Sequence, residues 1–212
     1  FPADFITEYQ AQTRGWFYTL HAISTMVFDK IAYKNVVSNG LVLDKKGVKM
    51  SKRLGNAIDP FTTLDKYGPD ATRWYMISNA QPWDNLKFDL DGIAEVTRKF
   101  FGTLQNTYNF FSLYANIDGF TRLEEEVPHD KRPEIDRWIL SRMHTIAKQM
   151  RTAYTDLEPT KATRLLQNFV TDELSNWYVR LNRQRFWKGN MNEDKISAYQ
   201  TLITCLHTTA IL

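Results

Sequence analysis

Between Val96 and Leu206 the apolar side chains recur at every third or fourth position in four separate runs, a period that leaves few architectures open. The first run is Val96, Phe100, Leu104, Thr107, Phe111 and Tyr114, and the second is Ile135, Trp138, Ile139, Met143, Ile146, Ala147 and Met150. The third is Leu166, Phe169, Val170, Leu174, Trp177 and Leu181, and the fourth Ile196, Tyr199, Leu202, Ile203 and Leu206. Each run puts a wide apolar face on a helix, and such faces are buried by packing helix on helix. Residues 93–212 are therefore expected to form an all-α helical bundle. Trp177 and Leu181 fall on the core stripe of the third helix, and the pairs Phe100-Phe101 and Phe110-Phe111 read as core. Ile117-Asp118-Gly119 ends the first helix, and the acidic stretch 124–133 (EEEVPHDKRP) reads as a solvated connector.

Residues 1–92 have a different texture. The spacing predicts a helix over 14–28 (RGWFYTLHAISTMVF), and the β-branched run 36–43 (VVSNGLVL) predicts a short buried strand, so this part reads as α/β. Asp44-Lys45-Lys46-Gly47 is a turn signal that returns the chain through Val48. Asp59-Pro60 and Tyr67-Gly68-Pro69-Asp70 punctuate the next stretch, with Asp70 placed to cap a helix beginning ATRWYMI.

Bulk composition narrows the class. A hydrophobic share of 43%, with 13 Phe, 10 Tyr and 6 Trp, excludes a disordered chain. A net charge of +3 permits a polyanionic partner without demanding one. The single cysteine, Cys205, lies on an apolar stripe and reads as a buried filler; it allows no internal disulfide and points to a reducing cytoplasm. No run approaches a membrane span and no signal peptide is evident. His21 and His144 stand apart from other ligand types, so no metal site is expected. A chain that starts at Phe1 and stops at Leu212, inside a periodic run, reads as a piece of a longer polypeptide.

The chemistry concentrates in residues 47–56, GVKMSKRLGN. Glycines at either side free the backbone, and Lys49 and Lys52 flank Ser51, whose hydroxyl can donate to the same anion. Lysine carries a compact ammonium on a flexible stem and can follow phosphate charge as it moves, where the arginine fork suits fixed contacts. A loop of this kind can close over a nucleoside triphosphate and stabilise charge on its leaving group. No P-loop sequence is present. A solvated, Lys-rich hairpin tip is the competing reading. In the helical part, residues 177–188 (WYVRLNRQRFWK) interleave aromatics with cations, the combination that holds unstacked bases and phosphates of single-stranded RNA. Arg183, Arg185 and Trp187 are the RNA candidates, against the alternative of a solvated helix face.

KMSKR with Gly55-Asn56, the preceding VVSNGLVL and the following KYGPDATRWY resemble the KMSKS signature region of the class I aminoacyl-tRNA synthetases. Gln12-Thr13-Arg14-Gly15-Trp16-Phe17 is similar to the isoleucine branch of that class, and DRWILSR (136–142) and LSNWYVRLNRQR (174–185) extend the resemblance along the chain. The resemblance implies a Rossmann-like α/β half-domain carrying the KMSKS-type loop over residues 1–92, followed over 93–212 by a bundle of the anticodon-binding type, truncated at its C-terminus. It implies ATP and isoleucine as substrates, Mg2+ accompanying the ATP, tRNA(Ile) as partner, and an aminoacyl-adenylate on the way.

Carried over position by position, Lys52 matches the ATP-phosphate ligand, with Lys49 and Ser51 assisting. Arg53 replaces a commoner serine and keeps the loop positive. Asn39, Gly40 and Leu41 match the strand end beside adenine. Glu8 and Gln12 match contacts to the adenylate and Trp16 a wall of the amino-acid pocket, although Tyr9 and Ala11 depart from the usual E-G-x-D-Q. The family's other nucleotide signature, His-x-Gly-His, is absent, because His21, His129, His144 and His207 lie in no such motif. A segment without it is expected not to form adenylate alone, and the editing domain that answers the isoleucine/valine problem is expected to lie upstream of Phe1. The alternatives are a noncatalytic tRNA-binding module and a ligase for valine or another branched aliphatic amino acid.

Overall fold

Strands β1 (Ala3–Tyr9) and β2 (Tyr33–Asn39) pair in parallel, Ala3 opposite Tyr33 and Tyr9 opposite Asn39. Parallel neighbours need a crossover, supplied here by a 3₁₀ turn at Gln10–Arg14 and helix α1 (Trp16–Phe28). Phe17, on the inner face of α1, is buried and meets Tyr33 edge-on at 6.2 Å between ring centroids. This βαβ unit is the α/β alternation expected from the sequence. In this computed structural model, which describes residues 1–212, the chain divides into two units. The first comprises Phe1–Ile93 with Leu157–Thr160, and the second Ala94–Asp156 with Lys161–Leu212. The return of Leu157–Thr160 to the first unit has no signal in a linear reading; the Thr160 hydroxyl reaches the carbonyls of Ile77 and Ala80 at 2.7 and 2.8 Å.

The run 36–43 is not one buried strand. It is divided between the end of β2 and a short strand β3 (Val42–Leu43), and Val36 is exposed. The break falls at Gly40, whose N–H donates to Pro82 O at 2.9 Å. A Cβ there would stand 2.2 Å from the carbonyl oxygen of Asp84, so only glycine admits this approach. Helices α2 (Pro60–Tyr67) and α3 (Pro69–Asn79) come next, and β4 (Leu86–Lys87) pairs in parallel with β3. Asp59 caps α2, accepting from Phe61 N at 3.1 Å, with Pro60 at the first helical position. Asp70 is not the cap of α3: that position belongs to Gly68, and Asp70 lies in the first turn, because Pro69 starts the helix earlier than the apolar pattern suggests.

The second unit has the four helical rods implied by the four apolar runs. Helix α4 (Leu90–Val96) continues through a π-helical turn into α5 (Gly102–Asp118), which Gly119 ends in the left-handed conformation at φ 71°. Then come α6 (Glu134–Thr155), the rod formed by α7 (Pro159–Asn168), a π-helical stretch (Phe169–Val179) and α8 (Arg180–Trp187), and finally α9 (Glu193–Ile211). Ile139, Met143, Phe169, Leu174, Phe186 and Leu202 are fully buried or nearly so. Tyr199 is the centre of an aromatic cluster, 5.1 Å from Phe186 and 5.0 Å from Phe120 between centroids. Cys205 is buried as expected, and burial pushes its thiol up to about 12.

Two expectations fail here. Trp177 and Leu181 are each 56% exposed rather than core. The 11-residue π-helical stretch winds more residues into each turn, so the stripe predicted from a 3.6 period drifts off the core. Tyr178, Asn182 and Phe186 occupy the inward positions instead. The connector at 124–133 is not simply solvated either. Val127 and Arg132 are buried, with the Arg132 guanidinium donating to Val127 O at 2.9 Å and to Thr201 Oγ1 at 2.9 Å, while Gln200 Oε1 accepts from Val127 N at 3.0 Å. These bonds fasten the loop onto α9.

Candidate active site

The KMSK segment is a hairpin whose shape is set from beneath by two side chains. Asp44 N–H donates to Val48 O, and Gly47, at φ 82°, closes the turn by donating to Asp44 O. The Asp44 carboxylate accepts from the N–H groups of Lys46 and Val48 at 2.9 and 2.8 Å. Its other oxygen accepts from Asn56 Nδ2 at 3.0 Å. Asn56 in turn reaches Lys49 O at 3.3 Å, and its Oδ1 accepts from Ser51 N at 2.9 Å. One amide thus ties the returning chain to the turn. The Asn56 hydrogen bond, followed by that from Val48, holds the Asp44 carboxyl below its ordinary value.

Ser51 opens a 3₁₀ turn, Lys52–Leu54, and its hydroxyl accepts from Leu54 N at 3.2 Å. Gly55 ends the turn at φ 65°. Lys49, Lys52 and Arg53 project into solvent and form no ion pair. The result is a fixed backbone carrying uncompensated cations on long side chains. The Ser51 hydroxyl, expected to donate to an anion, is engaged as an acceptor in its own turn and keeps its proton available.

The strand-end candidates gather at one end of the β1–β2 pair. Glu8 lies opposite Ser38 and Tyr9 opposite Asn39, at the C-terminal edge where parallel α/β sheets bind ligands. Asn39 Nδ2 donates to Thr7 Oγ1 at 3.1 Å, and Leu41 N donates to Asn85 Oδ1 at 2.8 Å. Gln12 sits in the 3₁₀ turn after β1, and its Oε1 accepts from Trp16 N at 2.8 Å, so it satisfies an N–H at the start of α1. Gly15 permits this, since a Cβ there would lie 2.7 Å from that oxygen. Trp16 presents about half its surface to solvent. Glu8 is exposed, and its carboxylate accepts from Tyr9 N at 2.9 Å. No group of three or more His, Cys, Asp or Glu stands close enough to hold a metal ion, and no helix is long and apolar enough to cross a membrane.

In the second unit the RNA candidates separate. Arg183 and Trp187 are exposed, and Trp187 meets Tyr114 edge-on at 6.5 Å. Arg185 faces inward. Its Nη1 donates to Asp136 Oδ1 at 2.7 Å and Asn182 Oδ1 at 3.0 Å, its Nη2 to Asp136 Oδ2 at 2.9 Å and Asp194 O at 2.8 Å, and its Nε to Asp194 Oδ2 at 3.0 Å. All five N–H groups of a guanidinium are thereby used, and none is left for a phosphate. Burial works against its charge, but the hydrogen bonds to Asp136 and Asp194 outweigh it and raise its pKa. Sequence reasoning missed Asp136. It is fully buried and also accepts from Tyr178 Oη at 2.9 Å and Ser197 Oγ at 2.6 Å. An aspartate on the same helical stripe as Ile139 and Met143 was the available signal.

The parallel βαβ unit, the lysine hairpin and the helical bundle can be set beside known proteins. Residues 1–89 match the family model of tRNA synthetases class I (I, L, M and V), and residues 136–212 match that of the anticodon-binding domain of tRNA ligase. Over its full length it is 68% identical to the isoleucine–tRNA ligase of Cytophaga hutchinsonii, 68% to that of Bacteroides thetaiotaomicron and 46% to that of Thermus thermophilus. It spans 19%, 18% and 20% of those relatives' lengths. Among solved structures, Mycobacterium tuberculosis methionyl-tRNA synthetase bound by methionyl-adenylate covers the whole chain at a TM-score of 0.81 and 14% identity, the chain covering 41% of it. A LeuRS–tRNA–LeuAMS ternary complex from Agrobacterium radiobacter K84 does so at a TM-score of 0.71 and 16% identity, the chain covering 26% of it. At these identities the structural likeness speaks for the fold.

Proposed function

We propose that this chain is a segment of an isoleucine–tRNA ligase, in which isoleucine attacks ATP to form isoleucyl-adenylate, pyrophosphate leaves, and the acyl group passes to the 3′ end of tRNA(Ile). The observation that carries the chemistry is the hairpin: Lys49 and Lys52 are unpaired and solvent-facing on a backbone tied down by Asp44 and Asn56. Preorganised cations aimed at developing charge stabilise the transition state more than the ground state. In this reading the Lys52 ammonium follows the negative charge that gathers on the departing pyrophosphate, with Lys49 and the Ser51 hydroxyl beside it. Asn39, Gly40 and Leu41 hold the adenine end of the nucleotide. Glu8, Gln12 and Trp16, at the same edge of the sheet, receive the aminoacyl part. Mg2+ arrives with the nucleotide, and no residue of this chain is assigned to it.

The choice of isoleucine rests on the 68% likeness to isoleucine–tRNA ligases along the entire chain. Partner RNA is assigned to the helical unit, with Arg183 and Trp187 on its surface; Arg185 serves the buried pair with Asp136 instead. Localisation in the cytoplasm accompanies the same assignment. Pyrophosphate exchange by the full-length protein, run with isoleucine and with valine, tests the proposal. Exchange that favours isoleucine is expected, and exchange that favours valine, or none with either, would overturn it.

A further inference from the structure

Three hydrogen bonds tie residues 40–41 to residues 82–86. Gly40 N donates to Pro82 O at 2.9 Å, Leu86 N to Leu41 O at 2.8 Å, and Leu41 N to Asn85 Oδ1 at 2.8 Å. Only the last uses a side chain. Asn85 is exposed, and it spends its amide oxygen on an N–H 44 positions away while its Nδ2 bonds to nothing in the protein, so the contact needs an acceptor and no more. The Leu41 N–H and the Gly40 C=O belong to one planar trans peptide and point in opposite directions. Fixing the first aims the second. Without that bond the plane can turn at little cost, because glycine admits backbone angles that other residues resist. The Gly40 carbonyl accepts no hydrogen bond from the protein, and Gly40 is only half-buried directly after β2, so it stands as an open acceptor at the C-terminal edge of the β1–β2 pair.

We infer that Asn85 is a positioning residue that sets base specificity: by holding Leu41 N–H it aims the Gly40 carbonyl to accept from the exocyclic amino group of adenine. This role rests on the ligase assignment, which gives Asn39, Gly40 and Leu41 the adenine end of ATP, and adds the side chain that orients them. An amino purine donates to the carbonyl. A 6-oxo purine brings a second acceptor instead and leaves two oxygens facing each other unpaired, which is how a site built for one hydrogen bond rejects an analogue that cannot make it. Asn85 acts on that choice without touching the base.

The test measures isoleucine-dependent pyrophosphate exchange by the full-length enzyme with ATP and with inosine triphosphate, its 6-oxo analogue, in Asn85→Leu and Asn85→Asp. Leucine matches asparagine in size but offers no acceptor, whereas aspartate keeps one. Asn85→Leu should raise the KM for ATP about five- to tenfold, the worth of one net hydrogen bond, and narrow the preference for ATP over inosine triphosphate by a similar factor. The KM for isoleucine should stay at the wild-type value. Asn85→Asp should keep both the KM for ATP and the preference within about twofold of wild type. An Asn85→Leu enzyme with unchanged KM for ATP and unchanged preference would overturn the inference. A uniform loss, with both KM values raised and the preference intact, would overturn it as well by assigning Asn85 to packing alone, and so would an Asn85→Asp enzyme as impaired as Asn85→Leu. These outcomes leave the ligase reading standing, because the wild type still performs exchange; a wild type that performs none would sink that reading and this role together.

Discussion

Arg185 and Asp136, 49 positions apart, meet in a bidentate pair with N–O distances of 2.7 and 2.9 Å inside the helical unit. Asp136 is completely buried, so its charge depends on that guanidinium and on the hydroxyls of Tyr178 and Ser197. The pair joins α6 to α8, and Asp194 extends it to α9.

Breaking the pair should unfold the unit before it touches chemistry. Removing one partner of a buried ion pair costs about 3–5 kcal/mol, because the other charge is left without compensation. Arg185→Ala and Asp136→Ala are each expected to destabilise by that order in denaturant unfolding. Arg185→Lys should recover little, since an ammonium cannot replace a planar fork bonded at all five sites.

The outward turn of Trp177 predicts an asymmetry between two aromatics of the same helical rod. Phe186 is fully buried between Phe110 and Tyr199, at 5.2 and 5.1 Å. Phe186→Ala is expected to cost about 3–5 kcal/mol in thermal or denaturant unfolding. Trp177→Ala should stay within about 0.5 kcal/mol of wild type, as surface substitutions do.

Lys52→Ala in the full-length enzyme should lower isoleucine-dependent pyrophosphate exchange by roughly 10²–10³, the usual effect of deleting a donor to developing charge. Affinity for tRNA should hardly change. An exchange rate equal to wild type would remove Lys52 from the reaction.

Asn56→Ala tests whether hairpin order matters to the same step. The variant loses the bonds to Asp44, Lys49 O and Ser51 N, of which one net hydrogen bond is worth about 1 kcal/mol. Exchange is expected to fall roughly tenfold, with the effect in kcat rather than in the KM for isoleucine.

Acid should loosen the same hairpin. The Asp44 carboxyl is held below the ordinary value chiefly by Asn56 and then by Val48 N–H. A folded-state pKa below the unfolded one contributes stability that is fully present above the unfolded value, about 3.9, and is lost as pH falls through the folded one. NMR titration should therefore place the Asp44 transition below that of an exposed aspartate, and Asn56→Ala should move it back up.

The sequence by itself determines the local features. The Asp44–Gly47 turn, the Asp59-Pro60 cap, the Gly119 stop and the helix over 16–28 each depend on residues within a few positions of one another, so their chemistry is written in consecutive letters. The cations of the KMSK segment belong to the same class.

Tertiary structure decided what depends on partners far away in the chain. Arg185 reads as an RNA contact until Asp136 and Asp194 occupy its donors, and the run 36–43 reads as one strand until the chain at 82–86 presses against Gly40. Trp177 and Leu181 follow an α-helical period in the sequence, yet π-helical winding carries them to the surface. A period assumes the winding that packing then chooses, and a charge takes its role from whichever opposite charge folding brings within reach.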